Sequence, residues 1–130
     1  MGDRVMLKDA DVMPTIPVSD LAAARKFYEG TLGLEAVRED MMGVMYECGG
    51  GTALLVHPSA GAGTSEGTRA GWKVDELDAE MEDLRGKGVE FEEYDMPELK
   101  TTDGVAETVG MRSAWFKDPD GNILAITQGE

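Results

Sequence analysis

A thiol and an imidazole are the strongest nucleophile and base that this chain offers, and it has one of each, Cys48 and His57. A working pair needs hydrogen-bond reach and a third group to orient the imidazole. Gly49, Gly50 and Gly51 separate the two within what reads as a hairpin, and no orienting acid is evident, so nucleophilic catalysis is not expected. His57 stands at a strand end beside Pro58. It either serves a ligand as hydrogen-bond partner or base, or is a partly exposed structural residue. Asp118, Asp120 and Asn122 have the spacing that opens an EF-hand loop, but Ile123 stands where the loop glycine belongs and Gly129 where the bidentate glutamate belongs. Calcium is not expected there. The runs at 49–51 and 61–63 lack a following Lys-Ser/Thr and a strand-to-helix context, so they are not phosphate loops.

Composition narrows the partners. The chain has 130 residues, 42% apolar and 29% charged, enough for one domain with a real core. A formal charge of −14, from 12 basic and 26 acidic residues, excludes nucleic acid and anionic membrane surfaces as partners. It favours neutral or cationic ligands and solubility, or simply marks a solvated acidic surface. One cysteine means no internal disulfide and no cysteine metal cluster. No apolar run approaches the ~20 residues of a membrane span. Residues 1–11 alternate charged and apolar types without a signal-peptide core, so a cytoplasmic location is expected.

The elements that must position any site are written twice. Residues 16–33 read IPVSDLAAARKFYEGTLG and residues 72–88 read WKVDELDAEMEDLRGKG. Each is a short apolar strand, a polar cap, one helix and a closing glycine. Ser19 or Asp20 caps the first helix, expected over 20–31, and Asp75 the second, expected over 76–86. Leu77, Met81 and Leu84 recur at helical spacing, as Leu21, Tyr28 and Leu32 do more loosely. Strands follow each helix: 43–48 and 52–57 around the three glycines in the first copy, then 89–94, 112–117 and 122–127 in the second. Thr52-Ala-Leu-Leu-Val56 matches Asn122-Ile-Leu-Ala-Ile126. The expected division is a first module over about 11–58, a Gly/Ser/Ala/Thr-rich linker over about 59–68, and a second module over about 69–128.

The turn Asp118-Pro-Asp-Gly-Asn122 between two apolar strands, the VSDL…FYEGTLGL segment and the repeat together resemble the vicinal oxygen chelate superfamily, which includes glyoxalase I, extradiol dioxygenases and bleomycin-resistance proteins. The resemblance covers nearly the whole chain, from about Asp11 to Gln128. It implies an α+β fold: two βαβββ modules forming a curved, mixed, eight-stranded sheet with the helices outside. It also implies a homodimer, in which modules of two chains close a cavity. Metal-using members place four ligands in that cavity. Carried over through Asp20, Glu76, the repeat and the final hairpin, those positions are Met13, Leu55, Arg69 and Ala125. None suits a divalent ion. A shift of one residue, to Pro14, Leu54, Ala70 and Leu124, supplies no ligand either.

The expected activity is therefore binding without catalysis: a metal-free protein with no cofactor, sequestering a hydrophobic aromatic antibiotic or metabolite, neutral or cationic, in a dimer cavity, as the antibiotic-resistance members do. Candidate ligand contacts are Met13, Tyr46, Leu55, His57, Arg69, Trp72, Tyr94, Met96, Trp115 and Ala125. The aromatics stack on flat ligands, the methionines adapt to irregular ones, and Arg69 pairs with a polar ligand edge or with one of the chain's acids. Trp72 alternates with Gly71 and Lys73 and faces either a helix or the cavity. The alternative is a metal-dependent lyase, isomerase or dioxygenase with nonstandard ligands, for which Glu47, Glu92, Glu93 and Asp95 are the available oxygen donors.

Overall fold

A computed structural model describes residues 5–108 and 110–129. Residues 1–4, at the head of the stretch read for a signal segment, lie outside the described residues. The first half contains β1 (Thr15–Val18), a helical segment, β2 (Glu35–Asp40), β3 (Gly43–Glu47) and β4 (Ala53–Pro58). The second contains β5 (Thr68–Lys73), α2 (Leu77–Gly86), the short ribbon β6 (Asp95–Met96) and β7 (Leu99–Lys100), then β8 (Ala106–Thr108), β9 (Met111–Lys117) and β10 (Ile123–Gly129). The first helical segment is α1 (Leu21–Arg25), which passes into a π-helical turn over Lys26–Thr31.

The strands form two mixed four-stranded sheets, ordered β1-β4-β3-β2 and β5-β10-β9-β8. In each, the first strand pairs parallel with the last, and the remaining pairs are antiparallel. β1 and β5 lie next to each other without forming a ladder. The expected eight strands are thus two sheets with abutting edges rather than one continuous sheet. The repeat in the sequence is a repeat of this topology.

One core runs under both sheets on the helix side. Side chains alternate along a strand, and Ile16, Val18, Val44, Tyr46, Leu54 and Val56 of the first sheet point the same way as Ala114, Phe116, Leu124 and Ile126 of the second. Ala24, Tyr28, Leu77, Met81 and Leu84 cover them from the helices. Phe27 and Tyr28 meet edge to face at 5.2 Å, and Phe116 packs 6.4 Å from Phe27 and 5.7 Å from Phe91.

Two local expectations are corrected. Asp75 does not cap α2. Glu76 is the N-cap residue and makes no side-chain cap bond, while the amide of Leu77 donates to Oε1 of Gln128 at 2.6 Å. The cap comes from the end of β10 because that strand runs beneath the helix start, a placement no local pattern encodes. Residues 89–94 do not form a strand. Among them Phe91 makes an isolated bridge to Phe116, and the amide of Glu92 donates to the carbonyl of Trp115. An edge position on β9 belongs instead to β8, which lies between the expected strands 89–94 and 112–117. By contrast, Asp20 accepts from the amide of Ala23 at 3.2 Å, a side-chain cap of the expected kind. Gly33 and Gly88 close the helical segments at φ +73° and +94°.

Candidate functional site

Asp118 is the most heavily bonded side chain near the module junction, and its work is structural. It is buried, and it accepts from the Tyr28 hydroxyl at 2.8 Å, from Nδ2 of Asn122 at 2.8 Å, and from the amides of Asp120 and Asn122 at 2.9 Å. Asn122 also donates to the carbonyl of Pro17 at 2.7 Å and accepts from the amide of Gly63 at 3.1 Å. Asp120 accepts from the hydroxyl and the amide of Ser19. The final hairpin thus ties β1, the start of the first helix and the inter-module segment together. Burial, then the nearby Asp118 charge, pushes the Tyr28 phenol far up, so it stays a donor.

Tyr46 belongs to the helix side. It is fully buried, stacks on Tyr28 at 6.0 Å and donates to Glu29 at 2.8 Å. Arg25 binds Glu29 at 2.7 Å and Glu39 at 2.6 Å. The Arg25 bond, then the Tyr46 bond, holds the Glu29 carboxyl below its ordinary range. Trp72 packs against the same core, beside Leu84, Phe116 and Ile126. The geometry therefore places these two candidates on the face opposite the others.

The outer face, away from the helices, collects most of the remaining candidates. In the first sheet Leu55 pairs with Thr15 and Met45, and His57 pairs with Pro17. Met13 has the parity of Thr15 and is 37% exposed. In the second sheet Ala125 stands between Gly71 on β5 and Trp115 on β9. Tyr94 meets Trp115 edge to face at 5.7 Å. Met96 lies on the β6–β7 ribbon and is 39% exposed. Arg69 is the extra residue of a bulge: Thr68 pairs with Ile123 and Ala70 with Leu124, leaving Arg69 unpaired between them. Ala70 packs toward the core, so alternation turns Arg69 outward.

The outer faces differ in charge. On the first sheet, strand parity gives Glu35, Asp40 and Glu47 with Arg38. On the second it gives Arg69, Lys73 and Lys117 with no strand acid. Overall charge concealed this local division.

Met13, Leu55, Arg69 and Ala125, the positions to which the family resemblance carries the metal ligands, hold a thioether, an isobutyl group, a guanidinium and a methyl, which do not fit a divalent cation. The other oxygen donors are dispersed. Glu92 pairs with Lys117 at 3.5 Å, Asp95 with Lys100 at 3.6 Å, and Glu93 accepts from Thr101 and from the amide of Gly104. Among the described residues no three His, Cys, Asp or Glu side chains converge as metal donors. A cavity of about 770 Å³ lies elsewhere, between α2 and the 100–107 segment, and none of the sequence candidates lines it. Its arginines are engaged: Arg112 with Asp78 and Glu107, and Arg85 with the Asp103 carbonyl and the Phe91 ring.

Comparison with known proteins agrees with this architecture. The family described as Glyoxalase/Bleomycin resistance protein/Dioxygenase superfamily matches residues 10–126. Among solved structures, TnmS3, an antibiotic binding protein from Streptomyces sp. CB03234, is 24% identical with a TM-score of 0.69, over 97% of this chain and 100% of its own. A glyoxalase/bleomycin resistance protein from the same Streptomyces is 24% identical with a TM-score of 0.66, over 92% and 100%. A putative glyoxalase family protein from Bacillus anthracis is 16% identical with a TM-score of 0.68, over 100% of both chains. At these identities the likeness shows the fold. No curated protein matches the chain. Among the described residues no helix is long and apolar enough to cross a membrane.

Proposed function

Because the chain belongs to the glyoxalase/bleomycin resistance protein/dioxygenase superfamily, we propose that it is a metal-free, cytoplasmic binding protein that sequesters a planar aromatic small molecule in a cavity completed by a second copy of itself. The observation that carries this reading is the chemistry of the outer face. At the family's ligand positions it presents Met13, Leu55, Arg69 and Ala125, and the adjacent strand adds Trp115 with Tyr94 against it. Such a lining holds a flat ligand by stacking and apolar contact but activates no water and polarises no substrate. The fold shared with an antibiotic binding protein supports a resistance-type role for the same surface.

A panel of aromatic antibiotics and flavins, screened by thermal shift with and without EDTA, tests it. A true ligand at about 100 times its Kd adds ~2.7 kcal/mol of stability, and the gain is expected to be the same in EDTA. Loss of binding on chelation, or one equivalent of divalent metal in protein purified without chelator, would reject the metal-free reading.

The second copy is supported by charge and by exposed apolar surface. A two-fold pairing that sets the first sheet of one copy against the second sheet of its partner brings Glu35 and Glu47 toward Lys73 and Lys117. Val12, Val37, Met41, Met42 and Met111 are exposed and available to the same contact. Sedimentation velocity is expected to show a dimer that weakens as salt rises from about 0.1 M to about 1 M, where the screening length falls from about 10 Å to about 3 Å. A monomer at every concentration and salt level would remove the second copy from the proposal.

A further inference from the structure

We propose that Arg69 is the specificity-determining residue of the outer face, and that it selects planar aromatic ligands bearing an oxyanion, a carboxylate or phenolate, at one edge. This rests on the binding reading above and names the ligand class for it.

Among the described arginines, Arg25, Arg38, Arg85 and Arg112 each bind a carboxylate or a carbonyl. Arg69 makes no hydrogen bond or salt bridge to the described residues, in a chain with 26 acids. Its Nε is fully buried and has no acceptor among the described residues. An unsatisfied buried donor on a cation is costly, and such a group is retained where a bound partner completes it. The bulge supplies the local cause. It inserts Arg69 as an extra residue of β5, two residues before Gly71, the partner of Ala125.

The neighbouring surface fits a flat body attached to that oxyanion. Gly71 and Ala125 form a floor of small residues, and a Cβ placed on Gly71 would lie 3.6 Å from that of Ala125. Trp115, the next residue across the ladder, rises beside the floor with Tyr94 against it. Two strand spacings, about 10 Å in all, separate the Arg69 strand from the Trp115 strand, enough for a fused polycyclic ring. From Gly71 a cleft of about 350 Å³ continues toward Trp72, Lys73, Met111, Thr127 and Gly129. Lys73 adds positive charge there, so the local field opposes a cationic edge despite the acidic chain.

Fluorescence titration of the dimer-competent full chain with anthracene-9-carboxylate and 9-methylanthracene separates the possibilities. The carboxylate is expected to bind about 10- to 100-fold more tightly, the range of a hydrogen bond to a charged group. Arg69→Met should remove that preference by weakening the carboxylate selectively and, because it deletes a buried donor without an acceptor, should not lower the thermal midpoint. Arg69→Lys, which keeps charge but loses Nε, should retain only part of it. Equal binding of both probes to the parent protein, unaffected by Arg69→Met, overturns the selectivity and leaves the binding reading standing. Binding of neither probe overturns both. If Arg69→Met instead weakens dimerisation, the acceptor is a carboxylate of the partner copy and the inference is wrong.

Discussion

Replacing Asp118 by Ala is expected to destabilise the protein by about 3–5 kcal/mol, the range for deleting one side of a buried charged network. The loss leaves the Tyr28 hydroxyl, two backbone amides and one Asn122 donor without their acceptor. Burial of Tyr28 and Asn122 prevents water from replacing it without rearrangement. Asp118→Asn should cost nearly as much, because its amide places a donor among donors. Urea unfolding with the slope unchanged and the midpoint strongly lowered is the expected result. A loss below about 1 kcal/mol, the size of an ordinary exposed hydrogen bond, would mean that the hairpin does not clamp the modules together.

Phe116→Ala should be comparably damaging, about 3–5 kcal/mol as for other buried aromatic truncations. Phe116 is 1% exposed and touches Phe27 from the first half and Phe91 from the second, so the cavity opens where both halves share one core. Both modules are expected to unfold in one transition, with the circular-dichroism and Trp-fluorescence curves coinciding. Two separate transitions in the variant would show that the modules are independent units. Trp115→Phe, one residue along and on the other face, should cost far less stability and instead alter ligand stacking.

Much of the architecture was legible because local chemistry and tertiary structure agree. Helical spacing of Leu77, Met81 and Leu84 buries all three. Asp20 caps because Ser19-Asp20 precedes an alanine-rich run that has no competing acceptor. Period-two alternation in Ala53–Pro58 and Ile123–Gly129 assigns faces that the ladders reproduce, so Leu55 and Ala125 share the outer face. Where the reading failed, the deciding contact was distant in sequence. Gln128 caps α2 from more than a helix length away. Residues 89–94 have strand-like side chains but meet β9 only at Trp115 and Phe116, while β8 takes Met111–Ser113 of the same edge. Tyr46 has an aromatic type suited to a pocket, yet it sits one step out of phase with Leu55 and Met45 and enters the core.

By itself the sequence determined the repeat, the turn residues and the alternation of faces, since each follows from residue type and short spacing, while the family resemblance implied that Met13, Leu55, Arg69 and Ala125 stand where metal-using members carry their ligands. Only the tertiary structure decided that Asp118 and Asn122 bind Tyr28, Pro17 and Gly63 across the module junction, that the sheets carry opposite local charge on their outer faces, and that Arg69 stands on a bulge with its Nε buried and unpartnered. These depend on which segments meet after folding. A side chain's partner, unlike its period, is chosen by contacts whose sequence separation leaves no local trace.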